Sequence, residues 1–134
     1  MTLAELRDLA MYQYNQEAED AALHAPALDE YINSGYSRVY CAWHSTPDGL
    51  EKLRADGDVP NVPERYHGII CDFATYLLYR NGNGAKQSRG YAYLNRFNEE
   101  IRAIYSQGGA QGEAARAQGN PESGIYRQFY NIPE

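Results

Sequence analysis

Two cysteines and two histidines of this chain lie at spacings that are common among metal ligands. Cys41 and His44 form one pair, and His67 and Cys71 form the other. Two such pairs match the four ligands of a zinc ion. Helical phase argues against this site, because Cys41 and His44 point away from the inward direction set by Ile32 at about 100° per residue. His67 and Cys71 instead flank the inward side of their own helix. We therefore expect no metal, two ordinary thiols and two partly exposed histidines.

The same residues do not form a convincing catalytic centre. A nucleophile needs a base and a group that orients it, but Asp72 points to the opposite side of the helix from His67 and Cys71. The segment Asn81-Gly82-Asn83-Gly84 lacks the strand before it and the Lys-Ser/Thr after it that a phosphate-binding loop requires. The carboxylate clusters are expected to be solvated charges: Glu99 and Glu100, and Glu17, Glu19 and Asp20. We predict that the protein is not an enzyme and needs no cofactor.

The elements that position these residues are predicted to be helices. Apolar side chains recur at helical spacing in four stretches. Thr2 and Glu5 form a capping box, so the first helix begins at Leu3. Pro26 is typical of a first helical turn, whereas residues 16–25 are either a helical extension or a loop. The predicted helices cover about residues 3–15, 26–45, 64–80 and 86–106, with one possible helical turn at 50–54.

The third predicted helix is the most apolar element, and we expect the other helices to pack on it. Its inward face carries Tyr66, Ile70, Phe73, Ala74 and Leu77. Gly35 and Gly90 fall on the inward faces of the second and fourth helices. Glycine inside a helix costs about 1 kcal/mol relative to alanine, so we expect both to permit close approach of a neighbouring helix. The predicted fold is all-α, a small four-helix bundle with an extended C-terminal tail.

Tyrosine is unusually frequent, with 13 residues against three phenylalanines and one tryptophan. Tyrosine buries a ring while keeping a hydroxyl for a wet rim, and it is enriched at protein interfaces. Several tyrosines lie off the apolar faces of the third and fourth helices. One interpretation is that they cover neighbouring connections of the same chain. The other is a subunit interface that includes Tyr76, Tyr79, Arg80 and Tyr91.

Charge is distributed unequally along the chain, whose net charge is −6. Residues 1–30 contain seven carboxylates and one base, whereas the remainder contains eleven of each. Such asymmetry is typical of a solvated face. A sharper hypothesis is that the acidic end, including Glu17, Glu19 and Asp20, meets the basic region 65–102 of a neighbouring copy. An acidic chain also argues against tight binding to a DNA backbone.

The character of the sequence changes after residue 106. We predict a helical domain at 1–106 and a flexible tether at 107–134, since the Gly/Ala/Gln-rich stretch cannot bury enough to fold alone. The tether ends in an apolar aromatic segment that we expect to dock on a partner, with strand addition to the partner's sheet as one mode: Ile125, Tyr126, Phe129, Tyr130 and Ile132. The alternative is a terminal strand that folds back on the bundle.

Two further observations concern the redox environment and the relation to membranes. Two cysteines make no disulfide framework, which favours reduced thiols. The N-terminus has no signal-peptide pattern, and the longest apolar run is interrupted by Asp72 and too short to span a bilayer.

Four segments together resemble the head–tail adaptor (connector, head-completion) proteins of long-tailed bacteriophages. They are TLAELR at 2–7, DEYINSGY at 29–36, VPERYH at 62–67 running on to YLLYRNG at 76–82, and YLNRF at 93–97. The resemblance covers residues 1–106 and rests on the order and spacing of all four segments. No catalytic residue is carried over by it.

The resemblance implies a structural protein of the virion neck, assembled in the cytoplasm of the host bacterium. Such subunits form a ring, commonly of twelve copies, beneath the portal protein. The ring extends the DNA channel, through which DNA passes without specific binding, and presents a surface to a tail-side stopper or tail terminator protein. It implies no membrane contact. The alternative function is a small helical protein-interaction module or regulator outside the virion.

Overall fold

The computed structural model describes residues 1–14, 18–81 and 84–118, and it describes only the backbone of 18–26 and 84–86. These residues form five α-helices and one 3-10 turn, and they contain no strand. The prediction of an all-α fold is confirmed. The helices are α1 (Leu3–Tyr14), α2 (Ala18–His44), α3 (His67–Arg80), α4 (Gly84–Ser106) and α5 (Gly109–Ala117), with the 3-10 turn at Glu64–Tyr66 before α3.

The start of α1 is fixed by the predicted capping box and by a backbone contact that sequence did not indicate. The Thr2 amide donates to the Glu5 carboxylate at 2.9 Å, and the Glu5 amide donates to the Thr2 hydroxyl at 3.2 Å. The amides of Leu3 and Ala4 donate to carbonyl oxygens in the 56–58 turn at 2.8 and 3.1 Å. These bonds satisfy amides that a helix leaves without partners in its first turn.

The predicted start of the second helix at Pro26 is wrong. Helix α2 begins at Ala18, eight residues earlier, and Pro26 lies in its interior. A proline there removes one backbone hydrogen bond. The preceding residues 18–25 are rich in alanine, the strongest helix former, which favours continuing the helix through them.

Helix α3 is the centre of the fold, as predicted. Ten of its 14 residues are buried, because α1, α4 and α2 surround it. Cys71 and Thr75 face α1, and the Cys71 thiol donates to the Leu6 carbonyl at 3.2 Å. Phe73 faces α2 and α4, where its ring packs 4.9 Å from that of Phe97.

Both glycines predicted at helix contacts lie where two helices meet closely. A Cβ added at Gly35 would stand 2.7 Å from the carbonyl oxygen of Ile70, and one at Gly90 would stand 2.9 Å from the Cβ of Tyr79. Both distances are shorter than a carbon atom tolerates. The α2–α3 and α3–α4 crossings therefore depend on residues without a side chain.

The long connection between α2 and α3, residues 45–63, contains no helix, so the possible turn at 50–54 does not form. Side chains of α2 hold it in place. The Asn33 amide group accepts from the Leu53 N–H at 2.8 Å and donates to the Leu53 carbonyl at 3.0 Å. The Asn61 N–H donates to the Tyr36 hydroxyl at 2.8 Å. The polar residues of α2 thus replace the backbone partners that a loop would otherwise lack.

Residues 109–117, which we expected in the flexible tether, form α5 instead. The Gly109 backbone packs directly against α2, since a Cβ there would lie 2.5 Å from the Trp43 carbonyl oxygen. Arg65 forms an ion pair with Glu113, which joins α5 to the 3-10 turn. Docking on other elements supplies the stability that this sequence lacks alone. The rest of the predicted tail, residues 119–134, lies outside the described residues.

Candidate subunit interface

Three of the predicted interface residues lie on the outer surface of the α3–α4 pair. Tyr91 is 56% exposed, and Arg80 is exposed at the end of α3. Tyr76 is half-buried between two other rings, with its centroid 5.8 Å from Phe73 and 6.2 Å from Tyr91. The rings of Phe73, Tyr76 and Tyr91 thus form a continuous row from the core to the solvent.

The prediction that Tyr79 points outward is wrong. Tyr79 is only 5% exposed, because the C-terminal end of α1 covers it. Its hydroxyl donates to the Tyr14 carbonyl at 2.9 Å, and its ring packs 4.8 Å from the Tyr14 ring and 6.1 Å from the Tyr93 ring. In the folded subunit, Tyr79 therefore joins α1, α3 and α4.

The remaining predicted site residues are not tested by the structure. Glu17 lies outside the described residues, and for Glu19 and Asp20 only the helical backbone of α2 is described. The predicted docking segment is also outside the described part: Ile125, Tyr126, Phe129, Tyr130 and Ile132. Its role stays a prediction.

The four residues with zinc-like spacing do not converge. Cys41 is half-buried, while His44 packs 4.2 Å from the Tyr40 ring. Cys71 is buried against α1, and burial raises the pKa of its thiol to about 12. Within the ranges the structure describes, no three side chains of metal-binding type form a group.

His67 is buried, contrary to the expected partial exposure. The Met1 ammonium group lies 2.8 Å from its Nδ1, and its Nε2 lies 2.9 Å from the Val62 carbonyl oxygen. A carbonyl only accepts and an ammonium only donates, so Nε2 carries the proton and Nδ1 accepts. Burial lowers the pKa of His67, with a smaller contribution from the nearby ammonium.

A buried carboxylate that sequence placed on the outside holds three helices together. Asp72 in α3 accepts from Arg96 of α4 at 3.0 and 2.6 Å, and from the Gln13 side chain of α1 at 3.2 Å. The Thr75 hydroxyl donates to the Gln13 side-chain oxygen at 2.7 Å. The Asp72 side chain is 4% exposed and that of Arg96 56%. No local pattern identifies this network, because its partners come from three helices.

An open groove with a mixed apolar and polar lining lies between α2, α3 and α4. Its volume is about 380 Å³. The Arg38 guanidinium stands 4.4 Å from the centroid of Phe73 and donates to Ser34. Arg38 is the one charged residue among the described lining residues, which include no carboxylate. We call this the α2–α4 groove, lined by Ser37, Arg38, Cys41, Phe73, Phe97, Asn98, Ile101 and Tyr105.

On the other side of the molecule, α1 presents a row of exposed side chains. Glu5, Asp8 and Tyr12 follow one another at intervals of three and four residues, so they share one helical face. Tyr12 is 81% exposed, the highest value among the large hydrophobic residues described. We call these three residues the α1 stripe. It is opposite the buried face of α1, which contains Leu6 and Ala10.

The one base of the acidic N-terminal segment, Arg7, forms its ion pairs inside the subunit. Arg7 binds both carboxylate oxygens of Asp29, at 2.7 and 2.9 Å, and also pairs with Asp56 at 2.6 Å. Those carboxylates raise the pKa of Arg7. Glu5 and Asp8 of the α1 stripe form no ion pair with the described residues, although the Glu5 carboxylate accepts from the Thr2 amide. The Asp8 carboxylate is therefore available to a neighbour.

Comparison of the chain with protein-family models, curated proteins and solved structures finds no match. Over the part of the chain that the structure describes, none of the helices has the length and apolar character needed to cross a membrane. Function must therefore be argued from the residues and surfaces described above.

Proposed function

We propose that this protein is a head–tail adaptor of a long-tailed bacteriophage. In this role it forms a ring, commonly of twelve copies, beneath the portal protein of the filled capsid. The ring extends the DNA channel and offers a surface to a tail-side stopper or tail terminator protein. The observation that carries the proposal is the order and spacing of the four segments at 2–7, 29–36, 62–82 and 93–97.

The fold supports this proposal because these segments contact one another within one helical unit. Arg7 of the first segment binds Asp29 of the second at 2.7 Å. Gly35 of the second lies against α3, which contains most of the third. Tyr79 of the third stacks on Tyr93 of the fourth. The four segments that carry the resemblance thus lie at contacts between helices of this chain.

The distribution of surfaces also supports an assembly role. A ring subunit needs two different contact surfaces, one for each neighbour, because its interfaces are heterologous. The subunit has an acidic row on α1 and a groove with an arginine on the other side of α3. A net charge of −6 suits a channel through which DNA slides without adhering.

Binding to filled capsids tests the proposal directly. DNA-filled, portal-bearing capsids that lack this protein are incubated with it and sedimented. We expect the protein to sediment with the capsids, and not with capsids whose portal is removed. A protein that binds neither, or both equally, is not a portal adaptor.

The C-terminal segment supplies a sharper version of the test. We propose that residues 125–132 dock on the portal, so deleting residues 120–134 should abolish capsid attachment. All five helices of the described residues end before residue 120, so the truncated protein should keep a helical circular dichroism spectrum. Undiminished attachment of the truncated protein contradicts the docking role.

A further inference from the structure

We propose that the α1 stripe of one copy docks in the α2–α4 groove of the next copy. The inference rests on the proposed ring-forming function, and it names the two surfaces through which neighbouring subunits meet. Tyr12 enters the groove, while Asp8 and Glu5 face Arg38 at its edge. The occupant of the groove is thus a second copy of this chain.

The groove is suited to an aromatic side chain that carries neighbouring negative charge. Its volume of about 380 Å³ lies within the roughly 300–1,000 Å³ range of cavities that enclose small ligands, so a phenol ring fits. Phe73 and Ile101 give it apolar walls, and Arg38 provides a cation held flat on the Phe73 ring. Stacking fixes the guanidinium while leaving its outer edge free to bind a carboxylate.

The α1 stripe presents the complementary groups on a rigid element. Tyr12 is four residues after Asp8, so the ring and the carboxylate are one helical turn apart, about 6 Å along the axis. The opposite face of α1 is fully buried at Leu3 and Leu6. The stripe therefore projects from a fixed helix, and little conformational entropy is lost when it binds.

The two surfaces face away from each other, which is the arrangement that a head-to-tail contact between copies requires. Cys71 of α3 contacts α1, whereas Phe73 lies at the groove. Two residues at about 100° each place these side chains on opposite sides of α3. A contact between the stripe and the groove is consequently head-to-tail, and it repeats from copy to copy.

A cysteine placed in the stripe tests the contact, because Cys41 already lines the groove. The full-length Tyr12→Cys protein is oxidised and examined on a non-reducing gel. We expect disulfide-linked dimers, trimers and higher species, since each copy offers one thiol from the stripe and one from the groove. Val59→Cys is the matched control, because Val59 is also exposed, at 54%, and belongs neither to the α1 stripe nor to the groove lining. Cys71 is buried in both variants.

Sedimentation over a concentration series gives the energetic test. We expect Tyr12→Ala to weaken self-association at least about tenfold, as is typical of a central aromatic contact, and Val59→Ala to leave it unchanged. Asp8→Arg and Arg38→Asp should each weaken association, and the double variant should restore it. Circular dichroism confirms that each exposed substitution leaves the fold intact.

Several outcomes overturn the inference. One is a wild-type protein that stays monomeric at every concentration, and another is a Tyr12→Cys protein that cross-links no more than Val59→Cys. Cross-linking that stops at dimers indicates a two-fold contact instead. If deletion of residues 119–134 exposes Cys41 to a thiol reagent, the C-terminal segment of the same chain occupies the groove. Capsid attachment without cross-linking refutes this contact alone, whereas cross-linking without attachment refutes the adaptor function alone.

Discussion

Replacing Gly35 by alanine should destabilise the protein, although alanine is the better helix former. The added Cβ would stand 2.7 Å from the Ile70 carbonyl oxygen and 3.1 Å from the Phe73 Cβ. Carbon atoms in contact normally lie about 3.5–4.0 Å from such neighbours. Helices α2 and α3 would therefore have to separate by roughly 0.8 Å at their crossing.

The expected magnitude follows from two opposing effects. Overpacking of this kind costs about 1–3 kcal/mol, because separation weakens contacts along the whole α2–α3 interface. The gain in helix propensity on replacing glycine is about 1 kcal/mol. We therefore expect Gly35→Ala to lower the free energy of unfolding by about 1 kcal/mol.

Gly68 provides the matched control for this substitution. It also lies in a helix, but a Cβ there would meet nothing within 4 Å. Gly68→Ala should leave stability unchanged or raise it by up to about 1 kcal/mol. Urea unfolding monitored by circular dichroism measures both variants, with equal m-values as a check that the unfolded states are comparable. If Gly35→Ala is as stable as Gly68→Ala, the close helix crossing does not limit what fits at residue 35.

Two further predictions concern polar groups of the core. Arg96→Ala should lower the free energy of unfolding by about 2 kcal/mol, which is less than for a fully buried pair because Arg96 is more than half exposed. Adding Asp72→Asn should recover part of the loss, because no unpaired charge is then buried. Equal stability of the wild type and both variants in urea unfolding would contradict the network. Because the pKa of His67 is lowered in the folded state, its contribution is complete above the unfolded pKa of about 6.5 and is lost as the pH falls below it. His67→Gln should therefore flatten the dependence of stability on pH below about 6.5, whereas parallel profiles for the two proteins would show that His67 is not the source of that dependence.

The features that sequence predicted well depend on local pattern. The capping box at Thr2 and Glu5, the apolar spacing of α3 and the inward positions of Gly35 and Gly90 are each set by residues close together in the chain. A period of 3.6 residues reports which side of a helix is buried, so it identified the central helix. It also indicated where two helices approach closely.

The features that sequence missed depend on partners far away in the chain. Helical phase placed Asp72 on the side of α3 opposite His67 and Cys71, and its own helix gives no hint of Arg96 or Gln13. Tyr79 was misplaced for the same reason, since the end of α1 covers it. Helix α5 was missed because its Gly, Ala and Gln composition predicted a flexible tether, and it packs on α2 because Gly109 permits close contact.

The sequence predicted the α1 stripe only in part and did not predict the α2–α4 groove. The acidic character of the first 30 residues pointed to α1, but Tyr12 was not singled out, although its spacing from Asp8 was visible. The groove needs the relative placement of three helices, which no sequence pattern supplies. The stacking of Arg38 on Phe73 joins residues of α2 and α3, and it is not visible in the sequence of either helix.

The anchoring of the 45–63 connection makes it part of a larger cooperative unit. Its 56–58 turn accepts the first amides of α1, and Asn33 of α2 holds Leu53 on both sides. Opening the connection would therefore release the start of α1 at the same time. In hydrogen-exchange terms, the amides of Leu3 and Leu53 should open with the same free energy, above that of an ordinary surface loop. A segment without regular structure thus belongs to the stable part of the molecule.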